Sequence, residues 1–425
     1  MAWQPTGVAA LAGPAPNRHA GCPPALLTGF VVAMSATAAL LISFVGTAGA
    51  VVFLSLWLLL AITYGRASLH CLIEGPLLVW LLPGTALLST LWSEAPVGTL
   101  RFGIEYVVTI GCAVLAGSLL KPRSLIVALV LAFIAIALIS LAYGREGVDP
   151  LTGVVTFVGI FESKNQLGLV ASLLLLGAIT LVLDTRQSGP IRLMGCGAGL
   201  LALPLIVMSR SATSVASVVL AVAVLLLGLF ASRLDRFGRS RALFAAFVLA
   251  MLALLLIVAS GTDTNGFILG VLGRNSTLTG RTYLWSFAAQ IIGDDPLLGR
   301  GYQAFWLRDS VNAESLWHEF HVASGAGFSF HNAYVEMAVE LGYVGVAVLA
   351  VTLAGIFIGV LRWSWDIRSV PAAFFVALMV CMLVRSVAEV DFTGPFALGT
   401  FILGVTATYA ATKPREEPRY SIPNG

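Results

Sequence analysis

Residues 124–143 read SLIVALVLAFIAIALISLAY, an uninterrupted apolar run without a charge. A helix needs about 20 apolar residues to cross the hydrocarbon of a bilayer, so this stretch is a membrane span. Outward from it, similar stretches lie near 25–46, 47–64, 73–92, 103–120, 166–184, 191–208, 212–231, 242–260, 332–360, 370–388 and 395–412. Charged residues are 11% of the chain and hydrophobic ones 58%, whereas a soluble domain carries about 25% charged residues. Alternation of period two is absent, which argues against an outer-membrane barrel. The expected fold is all-α, a polytopic integral membrane protein of about twelve transmembrane helices. A single membrane domain spans 25–412. It follows a disordered, proline-rich lead at 1–24, which lacks the apolar core of a cleavable signal peptide, and it precedes a tail at 413–425.

The net charge of +3 and the three lysines give no basic block beside stacking aromatics, so nucleic acid is not an expected partner. The cysteines Cys22, Cys71, Cys112, Cys196 and Cys381 are scattered, with no CxxC, and read as small apolar space-fillers. No Walker motif, DxD or HExxH occurs, so no nucleotide, metal or other cofactor is expected. No internal repeat supports an inverted-repeat transporter.

Arginine and lysine set the direction of the spans, because short cytoplasmic loops carry the excess. With the N-terminus inside, fifteen of the 24 basic residues fall on inner segments, and four of the others lie in the long 261–330 loop. Both termini then lie in the cytoplasm. The large loop between the ninth and tenth spans (261–331) lies outside, with His318, His321 and His331.

Four further segments hold residues that lipid packing does not explain. Glu162-Ser163-Lys164-Asn165-Gln166 precedes the sixth span, and Ser209-Arg210-Ser211 forms a short outer turn. Gly273-Arg274 and Gly280-Arg281-Thr282 lead into an amphipathic helix, with Trp285 and Phe287 as interface anchors. Arg385-Ser386-x-x-Glu389-x-Asp391 ends the eleventh span. Each has a plainer reading: Arg210 as an interfacial anchor, Arg281 on a helix resting on headgroups, and Arg385 paired with Glu389 at i+4. Asp294-Asp295-Pro296 reads as a helix-ending turn, and Gly299-x-Gly301 as a turn rather than a nucleotide loop.

His331 precedes Asn332, where an apolar helix starts. The positive end of a helix dipole favours a neutral imidazole, which can accept a proton, and favours a bound anion. The alternative is a structural histidine at a span boundary. Glu336 and Glu340 project about 140° and 180° away from it at about 100° per residue. They are expected to line a neighbouring crevice or meet an arginine.

The His331-Asn332 helix with Glu336, Glu340, Gly342 and Gly345, together with Gly280-Arg281-Thr282, Ser209-Arg210-Ser211 and Gly299-Arg300-Gly301-Tyr302, resembles the O-antigen ligase and polysaccharide polymerase superfamily. Phe161-Glu162-Ser163-Lys164-Asn165-Gln166-Leu167-Gly168 and Arg385-Ser386-x-x-Glu389 are most similar to its exopolysaccharide-polymerase branch. The resemblance covers about residues 160–395. It implies a metal-independent, inverting glycosyltransferase of the bacterial inner membrane that uses a glycan on undecaprenyl pyrophosphate. His331 would be the base. Arg210, Arg281, Lys164 and Arg300 would hold the donor pyrophosphate. Asn332, Glu336, Arg385 and Glu389 would support the site or the acceptor. The site would face the extracytoplasmic side, near other polysaccharide-assembly proteins.

The chemistry agrees: pyrophosphate is already a good leaving group, arginines can neutralise it, and the acceptor hydroxyl needs only positioning and a base. Two rivals remain at this stage. One is an O-antigen ligase with lipid A–core as acceptor, and the other is a transporter or non-catalytic assembly protein.

Overall fold

The computed structural model describes residues 23–148, 155–235, 237–241, 277–308, 310–322 and 328–414. Nearly all of the lead expected at 1–24, the ninth span expected at 242–260, Arg274 and most of the tail lie outside the described residues.

The helices are α1 (Ala25–Val45), α2 (Thr47–Thr63), α3 (Gly65–Ile73), α4 (Leu81–Leu88), α5 (Pro96–Leu119), α6 (Pro122–Tyr143), α7 (Lys164–Leu183), α8 (Gly189–Ser209) and α9 (Ala212–Ser232). After the undescribed stretch come α10 (Thr277–Asp294), α11 (Val311–Glu319), α12 (Ala333–Ile367), α13 (Val370–Ser386) and α14 (Leu398–Thr412). Among the described residues seven helices are long and apolar enough to cross a membrane: α1, α5, α6, α7, α8, α9 and α12. Their outer faces carry Leu26, Phe30, Leu138, Leu200 and Phe230 in the open, a distribution that water would penalise and lipid does not. Several of their threonines donate back to the preceding turn, as Thr109 does to Glu105 O and Thr180 to Leu176 O, whereas the hydroxyls of Ser35, Ser140 and Thr352 are buried without a hydrogen-bond partner among the described residues.

The structure differs from the sequence expectation in three places. The second span does not end in a simple loop, because α2 and α3 meet at a bend of 105°. The third, expected over 73–92, is broken into 3-10 turns at Leu77–Trp80 and Ser89–Leu91 around a short α4. Pro83 lies inside α4, where it removes a helical donor and crowds the carbonyl four residues back. A small antiparallel hairpin, β1 (Arg145–Val148) with β2 (Val155–Gly159), follows α6 in a chain expected to be all-α. Its valines and alternating burial carry the strand signal that the long apolar runs overshadow.

The described part of the long loop is folded. Leu284, Ala288, Ile291, Phe305, Leu316 and Phe330 form an apolar cluster of their own, capping the start of α12. Trp285, expected at the membrane interface, donates to Phe330 O at 2.8 Å.

Helix α12 is broken at Gly342, which has φ 62° and ψ −164°. The segment 296–301 replaces the helical bonds lost there. Tyr343 N donates to Pro296 O at 2.8 Å, while Arg300 N and Gly301 N donate to Val339 O and Glu340 O at 3.0 and 2.8 Å. The approach needs glycine: a Cβ on Gly342 would stand 2.3 Å from the Leu297 backbone.

Polar groups separate to the two ends of the bundle. The starts of α7, α9 and α12 and the end of α13 share one end. At the other, Arg123 holds Asp184 and Lys413 holds Asp366.

Candidate functional site

Asn332 caps α12. Its side-chain oxygen accepts from Tyr334 N at 2.9 Å and Val335 N at 3.2 Å, satisfying two orphan donors of the first turn. Its amide nitrogen donates to Val387 O at 3.2 Å and ties α12 to the end of α13. His331, one residue earlier, has φ 51°. A side chain in this left-handed region costs about 1–2 kcal/mol and persists only where neighbours enforce it. They do so here. Glu336 accepts from Phe330 N at 2.9 Å and from Trp306 Nε1 at 2.6 Å, Trp285 holds Phe330 O, and Ser329 Oγ accepts from His331 N at 3.2 Å. Glu336 thus clamps the backbone before His331 and meets no arginine in these bonds. Glu340 is buried, and neither carboxyl oxygen has a hydrogen-bond partner.

The His331 ring faces Glu389. Nδ1 lies 3.3 Å from Glu389 Oε2, and the other oxygen accepts from Arg281 Nη2 at 3.0 Å. Burial works to raise the Glu389 carboxyl, but the hydrogen bond and charge of His331, with Arg281 and Arg385, outweigh it and hold the group below the usual glutamate range. A neutral ring that directs Nδ1–H at this carboxylate would leave the Nε2 lone pair free. Arg281 Nε is buried and has no hydrogen-bond partner.

Arg385 does not pair with Glu389, as the i+4 spacing suggested. Helix α13 ends at Ser386, and Glu389 N still donates to Arg385 O at 2.7 Å, but the Glu389 carboxylate goes to Arg281 and His331. Arg385 instead forks onto Asp391, with Nε–Oδ2 at 2.5 Å and Nη2–Oδ1 at 3.2 Å. It also donates to Ser214 Oγ at 2.9 Å and Asn165 O at 3.1 Å, and it is fully buried. Burial pushes the Asp391 carboxyl up, against the pull of Arg385. Ser211 Oγ donates to Asn165 Oδ1 at 2.8 Å. One guanidinium therefore fastens the starts of α7 and α9 to the end of α13. In the sequence these segments lie far apart. Ser214, Trp306 and the Asp391 pairing had no distinguishing signal beyond polar or aromatic type.

Arg210 closes α8 in the left-handed conformation, φ 47° and ψ 28°. Its side chain is exposed and makes no ion pair among the described residues, next to the anchored Ser211. Lys164 is buried at the first position of α7, beside Asn165. Arg300 is placed differently. It pairs with Glu94 at 3.1 Å and Asp294 at 3.3 Å, and the structure does not bring it into contact with His331. Among the described residues no three His, Cys, Asp or Glu side chains gather as a metal ligand set.

The arrangement offers a proton acceptor, a buried guanidinium with an open donor and an exposed guanidinium, all on helix ends at one side of the bundle. The sequence profile of the O-antigen ligase family matches residues 197–350, which contain Arg210, Arg281, Arg300 and His331. Over 325 residues the chain is 38% identical to the exopolysaccharide production protein ExoQ of Rhizobium meliloti (strain 1021), covering 76% of this chain and 74% of that one.

Proposed function

The chain belongs to the O-antigen ligase and polysaccharide polymerase superfamily, near its exopolysaccharide-production branch, and from that premise we propose that it lengthens an exopolysaccharide. It moves a glycan from undecaprenyl pyrophosphate to a hydroxyl of an acceptor glycan, at the extracytoplasmic face of the inner membrane. The observation that carries this reading is the His331–Glu389–Arg281 group. A single carboxylate orients an imidazole and a guanidinium toward the same end of the bundle.

In the proposed step the acceptor oxygen bonds to the sugar C1 as the bond from C1 to the pyrophosphate oxygen breaks. Attack from the opposite face inverts the anomeric centre. The hydroxyl proton goes to His331 Nε2, and undecaprenyl pyrophosphate leaves with the bonding electrons. Arg281 and Arg210 neutralise its developing charge, with Lys164 at the start of α7 in support. No metal is needed for this charge balance. Asn332, Glu336 and Arg385 hold the supporting backbone. Arg300, taken up by Glu94 and Asp294, is left out of this reading. A cavity of about 210 Å³ beside Asp391, lined by Leu40, Leu169, Val170 and Phe396, suits the first units of a prenyl chain.

The test is purified protein with a polyprenyl-pyrophosphate repeat unit, with and without EDTA. Chain growth in both supports the proposal. Transfer to lipid A–core alone would identify a ligase, and loss in EDTA restored by magnesium would return attention to Glu389 and Asp391 as metal ligands.

A further inference from the structure

Two histidines of the long loop, His318 and His321, take no part in the transfer step proposed above. They flank the end of α11. Their rings and the carboxylate of Glu319 are exposed and have no partner among the described residues. Two backbone bonds close this helix end: His321 N donates to His318 O at 3.2 Å, and Val322 N donates to Trp317 O at 2.8 Å. That pattern usually carries glycine at its left-handed position. Here the position is His321, with φ 56°, although a side chain there costs about 1–2 kcal/mol.

Phe320, between the two histidines, links them to the catalytic end. Its ring centroid lies 5.4 Å from that of Phe328, which stands edge-on to the His331 imidazole at 6.1 Å. It also lies 5.9 Å from Tyr283 on α10. Tyr283 is 47% exposed, and its hydroxyl has no partner among the described residues. Ser286 and Gln290, three and seven positions on, are exposed on the same face of α10. A helix resting on lipid would turn an apolar stripe there, so the Tyr283 ring faces water. Arg281, two positions earlier on α10, holds Glu389. A run of rings thus leads from the proposed base to an open aromatic face edged by imidazoles and a carboxylate.

We propose that Tyr283 and Phe320, with His318, Glu319 and His321, form a subsite for the acceptor glycan, holding sugar units behind the one whose hydroxyl meets His331. This deepens the glycosyl-transfer reading and rests on it. A pyranose presents a face of C–H bonds, which suits the negative face of an aromatic ring, and a rim of hydroxyls, which suits imidazole and carboxylate. An acyl chain would leave that polar edge unmatched, and a phosphate would meet the Glu319 charge.

Binding and transfer are measured separately. Purified protein is titrated, without donor, with oligosaccharides of one to three repeat units cut from the exopolysaccharide, and chain growth is assayed on the same preparation. Wild-type affinity should rise with length. Tyr283→Ala should weaken binding of the three-unit oligosaccharide about tenfold, while Tyr283→Phe, which keeps the ring, should lose little. His321→Gly relieves the left-handed strain, so it should unfold at or above the wild-type temperature and yet bind about two- to tenfold more weakly. A merely structural histidine would not separate the two readouts in this way. Undiminished binding in either Tyr283→Ala or His321→Gly overturns the proposal, as does an equal loss in Tyr283→Phe and Tyr283→Ala. Weakened binding in both variants of a protein that shows no chain growth would overturn the polymerase reading and leave the glycan subsite standing.

Discussion

Glu389 stands 58 positions beyond His331 in the chain, yet its Oε2 lies 3.3 Å from the imidazole Nδ1. In the proposed step this contact sets which ring nitrogen carries the proton. Glu389→Gln keeps the shape and removes the charge. Turnover should fall about 10²-fold, the lower worth of a positioned acid–base group, with donor binding nearly unchanged. Unaltered turnover would show that the tautomer is set by something else.

The same carboxylate gives an acid-stability signature. Its folded pKa is depressed, so its contribution is present above the unfolded value of about 4.3 and is lost as pH falls through the lower folded value. Between neutral pH and about 4.5, this group should cause no loss of stability. Below that, wild-type protein should lose stability more steeply than Glu389→Gln. Thermal unfolding of both proteins across pH 3–7 measures the difference.

His331→Ala should lose about 10²–10⁴-fold in rate while donor binding persists. Binding and turnover measured on one preparation separate the roles. An equal loss of both would make the residue a phosphate ligand, and retention of both would make it structural.

Arg210→Ala should weaken donor binding and abolish transfer without affecting insertion, because the side chain makes no ion pair among the described residues. Arg210→Lys should recover only part, since an ammonium lacks the two-pronged fit to phosphate. A donor titration on both variants is the measurement. Full activity in the alanine variant would remove Arg210 from the site.

Gly342→Ala should destabilise the protein severely. At φ 62° and ψ −164°, a region open essentially to glycine alone, it adds about 1–3 kcal/mol of backbone strain to a Cβ placed 2.3 Å from Leu297. Gly197→Ala, where a Cβ meets nothing within 4 Å, is the control and should unfold at or above the wild-type temperature in detergent.

Lipid makes the spans legible, because a crossing helix must be continuously apolar, and α6 reads directly from residues 124–143. Breaks inside such runs are harder to read. Pro83 sits in a segment as apolar as its neighbours, and Gly342 is one glycine among many. The site was legible as residue types: His331, Arg281, Glu389 and Arg385 stand out from their surroundings. Their pairing was not, because the i+4 backbone bond from Glu389 N to Arg385 O is made while both side chains find partners that local spacing does not reveal. Arg385 turns to Asp391, and Glu389 is left for partners on other elements.

The exchange of backbone bonds between 296–301 and the interruption at Gly342 bears on how such proteins can be recombined. The first turns of α12 are fastened to the preceding segment as firmly as to their own continuation through the bilayer. A chimera cut between residues 301 and 331 would separate two halves of one hydrogen-bonded seam and leave buried peptide groups unmatched on both sides. A transplanted piece should therefore keep 296–345 together. Inheritance or engineering of new acceptor preferences should respect that block together with the residues before α5 that hold it, since Trp92 Nε1 donates to Leu298 O and Glu94 N to Arg300 O, each at 2.9 Å.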